Sequence, residues 1–181
     1  MSNRDVTVEW ALLAIALVLV NASLTFANIW PTPMVRLDWA VSIEAAACTL
    51  GLTIAASLRR RPSPRFLRVL AGVWVLLVIG RYAEVTTESL YGRDINLYWD
   101  LRNIPDVSAM LAFVARPLVL AIVVAGAVIV PVALYVPLRW ALGTLAVAAS
   151  DPRRRRALAG VAIAALVLGV GNAISGLEFL P

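Results

Sequence analysis

The distribution of apolar and polar positions predicts a helical membrane protein. Long apolar runs alternate with short polar or basic segments along the whole chain. A helix rises about 1.5 Å per residue, so roughly 20 residues cross a hydrocarbon layer about 30 Å thick. Five runs are long enough, and they predict spans at about 8–30, 38–58, 66–91, 117–138 and 157–177. We therefore expect an all-α integral membrane protein with one membrane domain over residues 1–181.

Two shorter stretches predict helices that lie in the membrane interface. In 105–115, four apolar residues recur at helical spacing and form one face: Val107, Met110, Leu111 and Val114. The second stretch, 139–149, begins with Arg139 and Trp140 directly after the fourth span. One alternative stays open, in which 105–138 forms a single long helix with a proline kink.

The arginines predict how the spans are oriented. Five of them lie in the loop after the second span: Arg59, Arg60, Arg61, Arg65 and Arg68. Arg139 and the arginines at 153–156 follow the fourth span, whereas the other two loops carry little net positive charge. Loops rich in arginine stay in the cytoplasm. The pattern therefore predicts a multi-pass protein with a cytoplasmic N-terminus and an extracytoplasmic C-terminus, as an odd number of spans requires.

The composition excludes several classes of function. The chain is 61% hydrophobic and 15% charged, whereas a soluble domain is about 45–50% apolar and about 25% charged. All basic residues are arginine, so there is no lysine for a Schiff base and no histidine for metal ligation or base catalysis. Cys48 is expected to be a small buried hydrophobe. We expect no metal, no cofactor and no nucleic-acid partner, because the arginines cluster at span ends.

A cluster of charged residues interrupts the third apolar run. Arg81, Glu84 and Glu88 are three and four residues apart, which places them on one helix face. With Glu44 of the second span they map to the outer half of the predicted bundle. A charge facing lipid there costs roughly 2.5–3.5 kcal/mol on insertion scales. Two interpretations stay open: an ion-pair network that locks helices together, or an outward polar basin for a lipid head group or an extracytoplasmic domain.

A polar and aromatic loop follows this cluster and is a candidate docking or head-group surface. Its candidate residues are Arg93, Asp94, Asn96, Tyr98, Trp99, Asp100 and Arg102. From Arg81-Tyr82 through Tyr91 to Asp100 the chain resembles the membrane portion of bacterial sulfatase-like proteins. These belong to the alkaline phosphatase superfamily, whose lipoteichoic-acid-synthase-like and phosphoethanolamine-transferase members act on lipid head groups. The resemblance implies a bacterial inner-membrane module without its catalytic domain, so no catalytic residue is carried over.

These observations predict a membrane anchor that presents lipid to an extracytoplasmic head-group hydrolase or transferase, without catalysis by this chain alone. Its expected partners are membrane lipids and a membrane protein or extracytoplasmic domain. The alternative is a non-catalytic accessory subunit of a larger membrane complex. It is motivated by Ala165, Gly169 and Ala173, a ridge of small residues that lets another helix approach closely. That ridge predicts either an internal helix interface or a homodimer seam.

Overall fold

The part of the chain that the structure describes folds into six helices and one short hairpin. The structure is a computed structural model that describes residues 3–30, 32 and 34–177, with side chains other than those at 3–5, 97, 101 and 172–177. In that part of the chain the order is α1 Asn3–Ala22, β1 Phe26–Asn28, β2 Val35–Leu37, α2 Ile43–Ser57, α3 Pro64–Tyr91, α4 Leu97–Val114, α5 Pro117–Ala148 and α6 Pro152–Leu177. The expected all-α architecture is confirmed for the described residues, with the hairpin as an addition.

Two of the described helices, α3 and α5, are long and apolar enough to cross a membrane. The most apolar 18-residue stretch of α5 contains no buried residue. Such a helix surface is stable only against lipid or another protein. The apolar parts of α1 and α2 are shorter, at Val6–Ala22 and Ile43–Ser57. In the described residues, two helices rather than five are therefore long and apolar enough to span, which supports a membrane protein but not five spans.

The last third of the predicted 8–30 span, residues 23–30, is wrong. Helix α1 ends at Ala22, and the chain then forms an antiparallel hairpin that pairs Phe26 with Leu37. The side chain of Ser23 donates to the carbonyl of Val20 at 2.7 Å, and Thr25 donates to the carbonyl of Asn21 at 3.1 Å. Hydroxyl groups that bond the local backbone compete with helix continuation. The polar residues of this run therefore mark a helix end instead of a membrane interior.

Helix α2 begins at Ile43, five residues after the start of the predicted 38–58 span. Ser42 is the N-cap of α2, and its Oγ accepts from the Ala45 N–H at 3.1 Å. Glu44 therefore lies in the first turn of the helix, whereas the sequence pattern placed it well inside the span. At the other end the chain leaves the helix through Arg59, which has φ 56°.

The prediction of a short interfacial helix at 105–115 is wrong in its start. Helix α4 begins at Leu97, because the Asn96 side chain accepts from the Trp99 N–H at 3.3 Å and caps the first turn. Pro105 lies inside this helix. The chain leaves helical geometry at Ala115, where ψ is 143°. The alternative of one helix over 105–138 is therefore also wrong.

The prediction of a separate interfacial helix at 139–149 is wrong. Helix α5 continues without a break to Ala148, with Pro131 and Pro137 inside it. Leu142 and Leu145 are fully buried in the core. A proline removes one helical hydrogen bond, and tertiary packing of the following turns compensates for that loss. This part of the chain belongs to the centre of the bundle.

The core lies between five helices. Helix α2 packs along α6, while α1 and α3 pack against the second half of α5. At one end of the α2–α6 pair, Arg155 Nη1 donates to the Ala56 carbonyl at 3.4 Å, and at the other end Ile43 meets Gly169. The α2–α3 and α5–α6 loops consequently lie at one end of the bundle. The hairpin lies at the opposite end, beside α3.

Candidate functional site

A cavity of about 580 Å³ opens at the hairpin end of the bundle. It lies between the hairpin, the start of α2 and the middle of α3, and we call it the polar basin. Its charged lining residues are Asp38, Glu44, Arg81 and Glu84, set among apolar side chains such as Phe26 and Leu77. Ligand cavities are typically about 300–1,000 Å³ with a few polar groups on apolar walls. The basin fits that description.

Arg81, Glu84 and Glu44 each have a hydrogen-bond partner on their own segment. Arg81 Nη1 donates to Glu84 Oε2 at 2.9 Å, one turn along α3, and both side chains are about half exposed. Ser42 Oγ donates to Glu44 Oε2 at 2.7 Å. Arg81 and Glu44 also interact electrostatically across the basin. The charges therefore face a shared open space, and no direct ion pair among the described residues ties α2 to α3 here.

A side chain of α1 holds the wall of the basin. Asn21 Oδ1 accepts from the Ser42 N–H at 2.9 Å, and its Nδ2 donates to the Ala40 carbonyl at 3.0 Å. Trp74 Nε1 donates to Ser23 Oγ at 3.0 Å, and this hydrogen bond joins α3 to the residue that follows α1. Asn21 was not predicted as a site residue from the sequence. Its only signal was the accumulation of polar residues in the second half of the first apolar run.

The structure brings together three of the four residues predicted as an intramembrane cluster. Glu44, Arg81 and Glu84 line the basin. Glu88 lies one turn further along α3, exposed and outside that lining, and its carbonyl accepts from the Gly92 N–H at 2.9 Å. The basin gains Asp38 from the segment before α2. The charge of its described lining is thus three carboxylates against one guanidinium.

The small residues of α6 lie at two different places. Gly169 faces α2, and a Cβ added there would be 2.7 Å from Ile43 Cγ1. Ala165 lines a neighbouring, largely apolar cavity of about 400 Å³ between α1, α2 and α6. The side chain of Ala173 lies outside the described residues. Gly169 thus permits the close approach of α6 to α2 within this chain.

The predicted docking loop is held by its own ion pair and stands apart from the basin. The Arg93 guanidinium donates two hydrogen bonds to the Asp100 carboxylate, at 2.9 and 3.2 Å, and the Asn96 N–H donates to the same carboxylate at 2.9 Å. The Arg93 guanidinium lowers the pKa of the Asp100 carboxyl, and Asp100 raises the pKa of Arg93. Arg93 also donates to the Asp94 carbonyl at 3.2 Å.

The aromatic residues of the loop contact each other. Tyr98 and Trp99 meet edge to face with ring centroids 5.1 Å apart. The Arg102 guanidinium lies 5.9 Å from the centroid of the Trp99 ring, within the range of a cation–π contact. Tyr98 is 67% exposed and Trp99 is 55% exposed. The pair remains available to a membrane surface or to a partner.

Comparison with protein-family models, curated proteins and solved structures gives no match for this chain. Within the described residues, no group of three or more His, Cys, Asp or Glu side chains is placed to hold a metal ion. What the basin can do therefore follows from its own chemistry. It presents carboxylates and one guanidinium to a group small enough to enter between α2 and α3.

Proposed function

We propose that this chain is a five-span module of a bacterial inner membrane that receives a lipid head group in the polar basin. It presents that lipid to an extracytoplasmic head-group hydrolase or transferase. The observation that carries the proposal is that Glu44, Arg81 and Glu84 line one open cavity. The resemblance of the segment from Arg81 to Asp100 to sulfatase-like membrane portions supplies the class of the enzyme.

The geometry favours a ligand over a structural lock. An ion-pair network that locks helices joins one helix to another, whereas Arg81 pairs with Glu84 on the same helix. A half-exposed pair of this kind contributes only about 0–1 kcal/mol to stability. With Asp38, the described lining carries an excess of negative charge. The basin therefore favours a head group with an ammonium for the carboxylates and a phosphate for Arg81.

The proposed orientation places the basin on the extracytoplasmic side. The arginine-rich loops meet at the opposite end of the bundle, and such loops remain cytoplasmic. Trp39, which is fully exposed at the hairpin end, is suited to anchor in the interface. Helix α4 has an exposed apolar stripe that includes Met110 and Val114. We place it in the outer interface, and α1, α2, α3, α5 and α6 across the membrane.

The test is lipid retention by the purified full chain. Nanodiscs of phosphatidylcholine with minor amounts of phosphatidylethanolamine and phosphatidylglycerol are formed, and retained lipids are measured by native mass spectrometry. We expect phosphatidylethanolamine to be enriched by the wild type and lost in Glu44→Gln and Arg81→Gln. Glu88→Gln is the matched control, because it removes a carboxylate of α3 outside the basin. Equal retention by all four proteins would overturn the proposal.

A second candidate function is an accessory subunit of a larger membrane complex. It is favoured by the apolar surface of α4 and the first half of α5, where Phe113 is 92% exposed and Leu118 is 71% exposed. Photocrosslinking from Tyr98 in native membranes separates the two candidates. A crosslinked protein with an extracytoplasmic hydrolase or transferase domain supports the first function. A stable crosslinked assembly without such a domain supports the second.

A further inference from the structure

A second cavity lies at the other end of the cleft between α2 and α3. It has a volume of about 620 Å³ and runs from the α2–α3 loop along the two helices. Its floor is apolar and includes Gly51, Leu52, Phe66 and Leu70, whereas Arg60 and Arg61 stand at the loop end. We call it the arginine groove. It shares no described lining residue with the polar basin.

The groove exists because α2 and α3 pack mainly against different helices. Helix α2 lies along α6 and α3 lies against α5, so two helices joined by a short loop do not close on each other. The α2 residues in its lining are spaced three, four and seven residues apart and so form one helix face: Cys48, Gly51, Leu52 and Ala55. A Cβ added to Gly51 would meet nothing within 4 Å. The apolar floor is therefore open to an elongated apolar group.

The charges at the mouth determine what kind of ligand fits. Arg60 and Arg61 are exposed, and the described lining contains no acidic residue. A guanidinium offers several N–H donors in a planar arrangement that matches phosphate oxygens. An anion at the mouth joined to an apolar chain along the floor satisfies both parts of the groove.

We propose that the arginine groove binds an anionic phospholipid. Its phosphate lies against Arg60 and Arg61, and one acyl chain lies along Gly51, Leu52 and Phe66. Basic pockets between membrane helices on the cytoplasmic side bind anionic head groups in this way. The inference rests on the proposed membrane residence of the chain and is independent of the ligand of the polar basin. It places two lipids of different head group in one cleft, in opposite leaflets.

The head-group arm of the test uses the same nanodiscs and measures retained phosphatidylglycerol. Arg60→Gln combined with Arg61→Gln should lower its retention roughly tenfold or more, since each basic residue near the surface contributes about a factor of five. The matched control is Arg153→Gln combined with Arg156→Gln, which removes two exposed charges at the same end but outside the groove. An equal loss in both double variants would overturn the site in favour of diffuse attraction.

The acyl-chain arm leaves the arginines in place and fills the floor. Gly51→Leu should reduce retention of phosphatidylglycerol, while binding of soluble glycerol phosphate in detergent stays unchanged. Gly160→Leu is its control, an exposed helical glycine of α6 with equally open surroundings. Undiminished retention in Gly51→Leu would overturn a lipid ligand in favour of a free phosphate compound.

Retention of phosphatidylethanolamine serves as the internal readout for these variants. It should remain at the wild-type level, which shows that each variant is folded and inserted. If the wild type does not enrich phosphatidylglycerol, the groove proposal alone is overturned. Loss of phosphatidylethanolamine selectivity from the wild type would overturn the basin and leave the groove standing, and failure of the wild type to insert would overturn both.

Discussion

At the scale of single residues, Ser42 connects three parts of the polar basin. Its Oγ accepts from the Ala45 N–H, caps α2 and donates to Glu44. Its own N–H donates to Asn21 of α1. Ser42 is 5% exposed, so water does not replace these bonds easily. This residue couples the start of a helix to the position of a basin carboxylate.

We expect Ser42→Ala to lower stability by about 1 kcal/mol, the usual cost of removing a serine N-cap. It should also weaken phosphatidylethanolamine retention, because Glu44 loses the hydroxyl that orients it. Ser63→Ala is the matched control, since Ser63 caps α3 in the same way, accepting from the Phe66 N–H at 3.1 Å, at the opposite end. Thermal unfolding and native mass spectrometry check both effects. If Ser63→Ala lost as much phosphatidylethanolamine as Ser42→Ala, the assignment of Ser42 as the residue that orients Glu44 would be contradicted.

The ion pair between Arg93 and Asp100 predicts how the loop before α4 responds to acid. The pKa of Asp100 is lowered from its ordinary 3.8, first by the hydrogen bond from Arg93. A lowered pKa in the folded state means that the carboxylate stabilises the loop at pH above about 3.8. That contribution is lost as pH falls through the folded pKa. The loop should therefore be insensitive to pH in the neutral range and loosen in strong acid.

Asp100→Asn should produce the loosened loop at neutral pH. Hydrogen exchange of a peptide covering 93–100 measures this, and its protection should fall in the variant to the level that the wild type reaches in acid. Asp94→Asn is the control, because Arg93 bonds the backbone carbonyl of Asp94 instead of its carboxylate. Unchanged protection in Asp100→Asn would show that the ion pair does not hold the loop.

At the scale of elements, the seam between α2 and α6 depends on one glycine. A Cβ at position 169 would lie 2.7 Å from Ile43 Cγ1, which is not the free end of that side chain. Gly169→Ala should therefore destabilise the protein by about 1–3 kcal/mol, as overpacking does. Gly160→Ala, where a Cβ meets nothing within 4 Å, should be neutral or stabilising by up to about 1 kcal/mol. Thermal unfolding in detergent compares the two, and equal effects would contradict close packing at Gly169.

The helix whose boundaries the sequence predicted well is the one with local signals at both ends. Helix α3, expected over 66–91, runs from Pro64 to Tyr91, because Ser63 caps it and Pro64 stands in its first turn. Gly92 ends it in the left-handed conformation with φ 62°. Capping residues act on their own backbone, so a sequence pattern is enough to find them.

The end of α1 and the continuation of α5 were predicted wrongly because they depend on contacts between distant residues. The end of α1 is stabilised where Asn21 bonds Ala40 and Ser42, about twenty residues away. The continuation of α5 depends on the burial of Leu142 and Leu145 against α1 and α3. Hydrophobicity measured along the chain contains neither fact. It gives the apolar length of a segment but not which neighbour covers it.

In the candidate site, too, the part that depends on local spacing was predictable and the part that depends on distant contacts was not. The spacing of Arg81 and Glu84 placed both on one face of a helix, and local geometry alone decides that. Asp38 joins them only because the hairpin folds back and delivers its segment to the start of α2. The apolar run 8–30 was predicted to be one continuous span. The hairpin, and the basin residues that it brings into place, were therefore not predicted.

At the scale of the whole molecule, the two ends of the bundle differ in charge. The α2–α3 and α5–α6 loops bring arginines from both sides to one end, where Arg154 pairs with Glu9 of α1 at 3.1 Å. The other end holds the polar basin with its excess of carboxylates. The cleft between α2 and α3 thus has arginines at one end and an excess of carboxylates at the other, which is the basis of the two proposed ligands. This polarity follows from which helices pack together.

The basin functions as proposed only if it faces outward, so we expect the hairpin end of the bundle to be extracytoplasmic and the arginine-rich end to be cytoplasmic. In a Cys48→Ser background, Thr32→Cys marks the hairpin and Ser150→Cys marks the basic end. Both parent residues are polar and lie in connecting segments. A membrane-impermeant maleimide should label Thr32→Cys in intact spheroplasts and Ser150→Cys only after permeabilisation, since arginine-rich loops stay in the cytoplasm. Labelling in the reverse order would place the basin in the cytoplasm, where an extracytoplasmic enzyme cannot reach the lipid it holds.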